Sequence, residues 1–154
     1  MTAQATVSGT ATVRAATGKD LLAVERLLKE NDLPLTGVRE ALSDFVVAES
    51  RGVIVGVAGL EICGNDALLR SVAVSPDWRS KGVGRALVTQ LIADAEARGI
   101  RALYLLTTTA EHYFPGFGFA KIPREGVPAD VRATTEFTTA CPASATAMSR
   151  LLHE

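Results

Sequence analysis

Between two apolar stretches the sequence reads Val74-Ser-Pro-Asp-Trp-Arg79-Ser80-Lys81-Gly82-Val83-Gly84-Arg85, which sets two glycines one residue apart among three cations. At a joint between a strand and a helix, such a run presents unpaired amides and the positive end of a helix dipole, and both favour phosphate. Glycine at 82 and 84 removes side chains that would keep a phosphate at a distance. Arg79, Lys81 and Arg85 add charge. The run lacks the third glycine and the following acidic residue of the dinucleotide pattern, and the Gly-Lys-Ser/Thr of the nucleotide-hydrolase phosphate loop. A glycine-rich helix start with solvated basic residues would look the same, so the glycines alone leave the two readings level. Six basic residues (Arg70, Arg79, Lys81, Arg85, Arg98, Arg101) face three acidic ones (Asp77, Asp94, Glu96) between Arg70 and Arg101, on a chain of net charge −1. That local excess suits one small anionic ligand better than a polyanion.

The surrounding pattern supplies the strand and the helix. Leu68 to Val74 is a buried-looking strand inside Ala67–Val74, and the helix after the loop runs to about Arg98. Val83, Leu87, Leu91 and Ala95 recur at intervals of four on it, with Val88 and Ile92 beside them. Gly99 stands where a helix ends, and Arg101–Thr107 is the next strand. Strand, helix, strand requires a parallel pair with a right-handed crossover. Upstream, Thr10–Ala15 reads as the first strand and Thr17-Gly-Lys-Asp20 as a capping box. Leu21, Val24, Leu27 and Leu28 then form the stripe of a helix. A second helix over about Pro34–Leu42 is weakened by Gly37. Asp44–Glu49 and Gly52–Ile62 read as a hairpin around Ser50-Arg51-Gly52. Ala110–Phe114 is a short helix, and Phe117-Gly-Phe119 leads into a later strand.

At 154 residues, with 47% apolar and 21% charged residues, the chain is read as one globular domain. Residues 1–9 are a frayed start and residues 10–154 the domain. The balanced charge gives no reason to expect nucleic acid. No apolar run suits a membrane span, and no signal-peptide order appears at the start, so a cytoplasmic setting is expected. Cys63 and Cys141 are too few for a disulfide framework and lack metal-ligand spacing, so no metal is expected. Cys141 has no nearby histidine pattern that would make it a nucleophile.

Val72-Ala73-Val74-Ser-Pro-Asp-Trp-Arg79-Ser80-Lys81-Gly82-Val83-Gly84-Arg85-Ala-Leu87 resembles the signature of the GNAT superfamily of N-acetyltransferases, Arg/Gln-x-x-Gly-x-Gly/Ala after a strand ending in apolar-x-Val. Gly118-Phe119 resembles that family's second motif, and Val13-Arg14 through Asp20 its first strand and helix. The resemblance implies an α/β fold: a mixed central sheet with splayed central strands, flanked by helices. It implies acetyl-CoA as cosubstrate, with the diphosphate on the amides of Ser80 to Arg85 and the pantetheine arm on the strand backbone of Val72, Ala73 and Val74. Thr107, Thr109, Ala110 and Phe114 would line the acyl end. A narrower resemblance, to amino-acid acetyltransferases of the N-acetylglutamate synthase type and still more to arsenic-resistance N-acetyltransferases, rests on several stretches. These are Gly59-Leu-Glu61, Ala67-Leu-Leu-Arg70-Ser71, Leu105-Leu-Thr-Thr-Thr-Ala, Thr135-Glu-Phe137 and Cys141-Pro-Ala-Ser144.

Two family positions are altered. Many relatives carry a glutamate where this chain has Leu68, and a tyrosine where it has Phe114. An α-amino group has a pKa of roughly 8, so a base helps at neutral pH. Glu61 on the neighbouring strand, with space left by Gly59 and Gly64, is the substitute base; otherwise it is an exposed strand carboxylate. Arg70 is a cation inside an apolar strand, unusual without a partner, so it either binds a substrate carboxylate or pairs with Glu61. Ser71, Thr108 and His112 are placed with it at the acceptor. Tyr113, next to the usual acid position but rotated about 100° from it on a helix, is the candidate proton donor to the thiolate. Packing is its alternative role. Trp78 and Phe117 would wedge the loops against the core.

The leading function is acetyl transfer to the amino group of a small carboxylate-bearing molecule. A protein N-terminus or lysine as acceptor, and a non-catalytic acyl-CoA-binding module, are the other readings. A homodimer, to which the tail from Thr134 could contribute, fits the family.

Overall fold

The computed structural model describes residues 5–6, 11–108, 110–134, 137 and 144–152. Their strands are β1 (Ala5–Thr6), β2 (Thr12–Ala15), β3 (Phe45–Ser50), β4 (Val53–Cys63), β5 (Asp66–Val74), β6 (Ala102–Thr107), β7 (Ala120–Lys121) and β8 (Thr146–Leu151). They form one sheet in the order β1-β2-β3-β4-β5-β6-β8-β7. Every neighbouring pair is antiparallel except β5 and β6, the parallel crossover that the strand–helix–strand pattern demands. The helices are α1 (Leu21–Glu30), α2 (Val38–Ala41), α3 (Val83–Ala97) and α4 (Ala129–Arg132).

The apolar stripes explain the layering. Val83, Leu87, Val88, Leu91, Ile92 and Ala95 of α3 bury against Val46, Ala48, Leu60, Leu69 and Leu103 on one face of the sheet. Val24, Leu27 and Leu28 of α1, with Val38 of α2, bury against Phe45, Val47, Val57 and Ala73 on the other. The sheet is therefore sandwiched. The absent side chain at Gly56 is what seats α3: a Cβ there would lie 2.7 Å from Val83 Cγ1 and 2.9 Å from Leu87 Cδ1. At its far end α3 closes with Gly99 at φ +76, its N–H on Glu96 C=O (3.1 Å) and that of Ile100 on Ala95 C=O (3.0 Å), the paired bonds of a Schellman ending.

Two irregularities open the sheet. The parallel pairing of β5 with β6 spans only Ala67↔Leu103 and Leu68↔Tyr104, although β5 runs on to Val74 and β6 to Thr107, so the strands diverge. Between β4 and β5 the register moves from Val57↔Ala73 to Gly59↔Arg70, two β5 residues opposite one on β4. Ser71, at φ 61, stands in this bulge, and the extra residue bends β5. Leu69 and Val72 then meet the α3 side.

Several sequence expectations shift. Thr17 and Asp20 do form the capping box, on a short 3-10 turn ahead of α1. The helix expected over Pro34–Leu42 shortens to Val38–Ala41 because Gly37, at φ 80, stands at its start. Ala110–Phe114 is not helical: a turn leads to a 3-10 segment at Phe114–Phe117, with Pro115 early in it. Ala5–Thr6, inside the start expected to be frayed, pairs with Val13 and Thr12. β8, inserted between β6 and β7, had no counterpart in the sequence reading. Among the described residues no helix is long and apolar enough to cross a membrane, and no group of three or more His, Cys, Asp or Glu could hold a metal.

Candidate active site

The divergence of β5 and β6 opens a cleft of about 660 Å³. Leu69 to Val74 form one wall and Leu105 to Thr107 the other, with Gly82 to Arg85 of the α3 entrance, Asn31, Leu33 and Pro34 after α1, and Ala110, Tyr113 and Phe114 around it. The loop before α3 holds two residues in left-handed backbone, Ser80 at φ 65 and Gly82 at φ 83. Such turns aim successive amides into one concavity. The first helical bond is from Ala86 N–H to Gly82 C=O, 3.0 Å, so the amides of Val83, Gly84 and Arg85 precede any intrahelical acceptor. A Cβ on Gly82 would meet no atom within 4 Å; the space beside it is open. These amides, that space and the flanking arginines fit a diphosphate.

Arg79 reaches back from the loop, Nε donating to Val74 C=O (3.3 Å) and Nη2 to Asn31 Oδ1 (2.8 Å). Tyr113 overhangs the α3 entrance, its Oη 3.2 Å from where a Cβ on Gly84 would stand. Its ring packs edge-on against Phe114 and Phe117, at centroid distances of 5.3 and 5.2 Å. Burial pushes the phenol above its ordinary pKa, partly offset by Arg85.

At the bulge, the Arg70 side chain is fully buried. Nη1 donates to Glu61 Oε1 (2.9 Å), Nε to Ser71 Oγ (3.0 Å) and Nη2 to Thr36 C=O (2.6 Å). Of the two roles weighed for Arg70, the ion pair with Glu61 is thus present. Glu61 lies on β4 directly opposite Leu68, where β-carbons stand about 5 Å apart. The space expected beside Glu61 is otherwise used: a Cβ on Gly59 would strike the Phe45 ring, and one on Gly64 would lie 2.9 Å from Asp130 Oδ2.

Of the sequence candidates, Arg70, Ser71, Val72, Ala73, Val74, Arg79, Ser80, Gly82, Val83, Gly84, Arg85, Thr107, Ala110, Tyr113 and Phe114 line the cleft. Glu61, Lys81, Thr108 and His112 are not among its lining residues. Lys81 lies over the Trp78 ring at 5.3 Å, and the His112 side chain is 91% exposed. Thr109 and Cys141 lie outside the described residues. Thr107 Oγ1 accepts the Ala110 N–H at 2.9 Å, which fixes the turn. Trp78 and Phe117 pack on the core as expected. Cys63 is a buried free thiol, pushed up to about 11 chiefly by burial. The sequence reading missed Asn31, Leu33 and Pro34, which follow α1 with no motif of their own.

The family profile described as "Acetyltransferase (GNAT) domain" matches residues 41–121. The chain belongs to the GNAT acetyltransferase family. Its GNAT signature is the strand, loop and helix from β5 to α3. Among curated relatives it is 32% identical over 126 residues to the amino-acid acetyltransferase of Aeromonas salmonicida, covering 76% of this chain and 28% of the relative. It is 36% identical over 115 residues to that of Azotobacter vinelandii, covering 71% and 27%. The chain thus spans about a quarter of the length of these relatives. In fold it is similar to N-acetylglutamate synthase from Neisseria gonorrhoeae, solved with coenzyme A and N-acetyl-glutamate (TM-score 0.81, 23% identity, 96% of this chain and 36% of that one). A Mycobacterium tuberculosis protein solved in complex with CoA and a second ligand is similar over 91% of this chain and 98% of its own (TM-score 0.78, 26% identity).

Proposed function

We propose that this GNAT domain transfers the acetyl group of acetyl-CoA to the amino group of a small, carboxylate-bearing, amino-acid-like molecule. The observation that carries the reading is the cleft between β5 and β6, which joins the bare amides of the α3 entrance to the bulge at Ser71. The names of the curated relatives support the acceptor class, and the coenzyme in solved neighbours supports the donor.

Acetyl-CoA supplies an activated acetyl group, so the chain's work is to hold, orient and move protons. Ser80 to Arg85 take the diphosphate, with Arg79 and Arg85 as counter-charge. The edge of β5 at Val72 to Val74, beyond its pairing with β6, offers backbone groups to the pantetheine amides. The acceptor sits toward Arg70 and Ser71, against Leu33 and Pro34. Its ammonium proton goes to Glu61 through water as nitrogen bonds to the acetyl carbon. The carbon–sulfur bond breaks, the departing thiolate takes a proton from Tyr113, and the excess proton on the newly acylated nitrogen returns through water to the tyrosinate. Arg70 holds Glu61 in place and sets the charge against which an acceptor carboxylate is read.

Within that class we favour an arsenical or phosphinic amino acid, on the sequence resemblance through Gly59-Leu-Glu61 and Ala67 to Ser71, and a cytoplasmic setting, on the free Cys63. Purified protein, acetyl-CoA and a panel of amino acids including arsenical and phosphinic analogues test the reading. Thiol release with at least one of them is expected. Coenzyme binding without thiol release across the panel would overturn it.

A further inference from the structure

Asn31 joins two parts of the site that have no covalent neighbourhood. It is the residue after α1; its Nδ2 donates to Leu27 C=O at 2.8 Å and so fixes its orientation, and its Oδ1 accepts from Arg79 Nη2 at 2.8 Å. The segment that Asn31 opens supplies Leu33 and Pro34 to the cleft wall. Its other end is tied down as well, since Thr36 C=O accepts from Arg70 Nη2 at the β5 bulge. One wall of the cleft is thus held at both ends by arginines of the β5–α3 unit. The Arg70 tie is part-buried. The Arg79 tie is exposed, and it alone involves the loop we assign to the diphosphate.

We propose that Asn31 is a positioning residue that makes the wall at Leu33 and Pro34 firmer when coenzyme is bound, so that coenzyme binding prepares the acceptor site. This rests on the coenzyme assignment above. The physical reason is conformational entropy. An exposed arginine loses rotamer freedom to make a hydrogen bond, and that loss nearly cancels the gain. A diphosphate beside Arg79 immobilises the guanidinium once. The bond to Asn31 then forms at lower entropic cost, which is coupling without a change of shape.

Hydrogen exchange with coenzyme A as the probe tests this in the whole chain. In the wild type, coenzyme A should slow exchange in the 79–85 peptide and also slow it in the 31–37 peptide, by about three- to fivefold for the weight of one solvent-exposed hydrogen bond. Asn31→Ala should keep the first effect and lose the second. Asn31→Asp, which retains an oxygen for Arg79 while giving up the donor to Leu27, should restore the second. A purely structural role predicts that both variants behave alike, and that result would overturn the proposal. So would unchanged or faster exchange in 31–37 alongside protection of 79–85, because it means that the diphosphate draws Arg79 away. Protection of neither peptide removes the coenzyme assignment, and the proposal with it.

Discussion

At the scale of single residues, the proposed proton transfer rests on Glu61 and Tyr113. At Leu68, where the sequence resemblance leads to the expectation of a glutamate, the cross-strand partner on β4 is Glu61. A carboxylate therefore stands one strand to the side, on the same face as Leu68. Glu61→Gln keeps the shape and an oxygen for Arg70, so activity at neutral pH should fall by about 100-fold and recover as pH rises toward the acceptor amine's own pKa. A pH–rate profile checks this, and a uniform loss at all pH values would assign Glu61 to holding Arg70 alone. Tyr113→Phe should lower kcat while leaving the KM for acetyl-CoA within about twofold. The phenol lies over the α3 entrance, so the opposite split would make it a coenzyme contact. Candidate residues at 61 and 70 were legible because a charge in an apolar strand is conspicuous. Their mutual pairing was one of two readings open for Arg70, and the strand register that decides it is invisible in one sequence.

At the scale of elements, the strand–loop–helix unit was readable throughout. Its glycines, its four-residue apolar spacing and its terminal Gly99 are all local signals. The turn after β6 was not, because an apolar stretch closed by Pro115 satisfies a short helix and a 3-10 segment equally. Gly82→Val should abolish coenzyme A binding by calorimetry while the circular dichroism spectrum stays that of the wild type. The Cβ meets no atom of the chain, but the loop must hold φ +83 and the open space is lost. Undiminished affinity would remove the diphosphate from this loop. At the other end of the fold, Asp20 accepts from Arg14 (2.8 and 2.9 Å) and from Thr17 N–H (2.8 Å). Arg14, burial opposing it, brings Asp20 down from 3.8 to about 2. A carboxyl that titrates lower in the folded chain contributes stability that is fully present above pH 3.8 and lost as pH falls toward 2. Asp20→Asn should therefore destabilise by on the order of 2 kcal/mol at pH 7, with the difference between the two proteins vanishing near pH 2 in denaturant titrations.

For the whole molecule, the sandwich of α3 on one face and α1 on the other was implied by the two apolar stripes, and the parallel β5–β6 pair by the crossover. What stayed hidden was the strand order beyond β6. Thr146–Leu151 carries a serine, a threonine and an arginine among its six residues, too mixed a composition to announce a strand between two others. Ligand linkage offers a test at this scale. Coenzyme A at 100 times its Kd should stabilise the chain by about 2.7 kcal/mol. Raised melting temperature in wild type and Glu61→Gln, but not in Gly82→Val, is expected by thermal denaturation. A rise in all three would mean that the nucleotide docks away from the α3 entrance.

The late arrival of β8 has a consequence for how the chain is made. β6, already flanked on one side by β5, pairs along its whole length with residues that are made only after β7 and α4. Until then β6 exposes a hydrophobic rim to any passing strand, and the nascent protein depends on whatever shields that rim. Vectorial synthesis thus leaves the half of the sheet that holds the cleft complete but unsealed until β8 emerges. A chain cut before Thr146 should accumulate in inclusion bodies even though every residue proposed to touch the coenzyme is present.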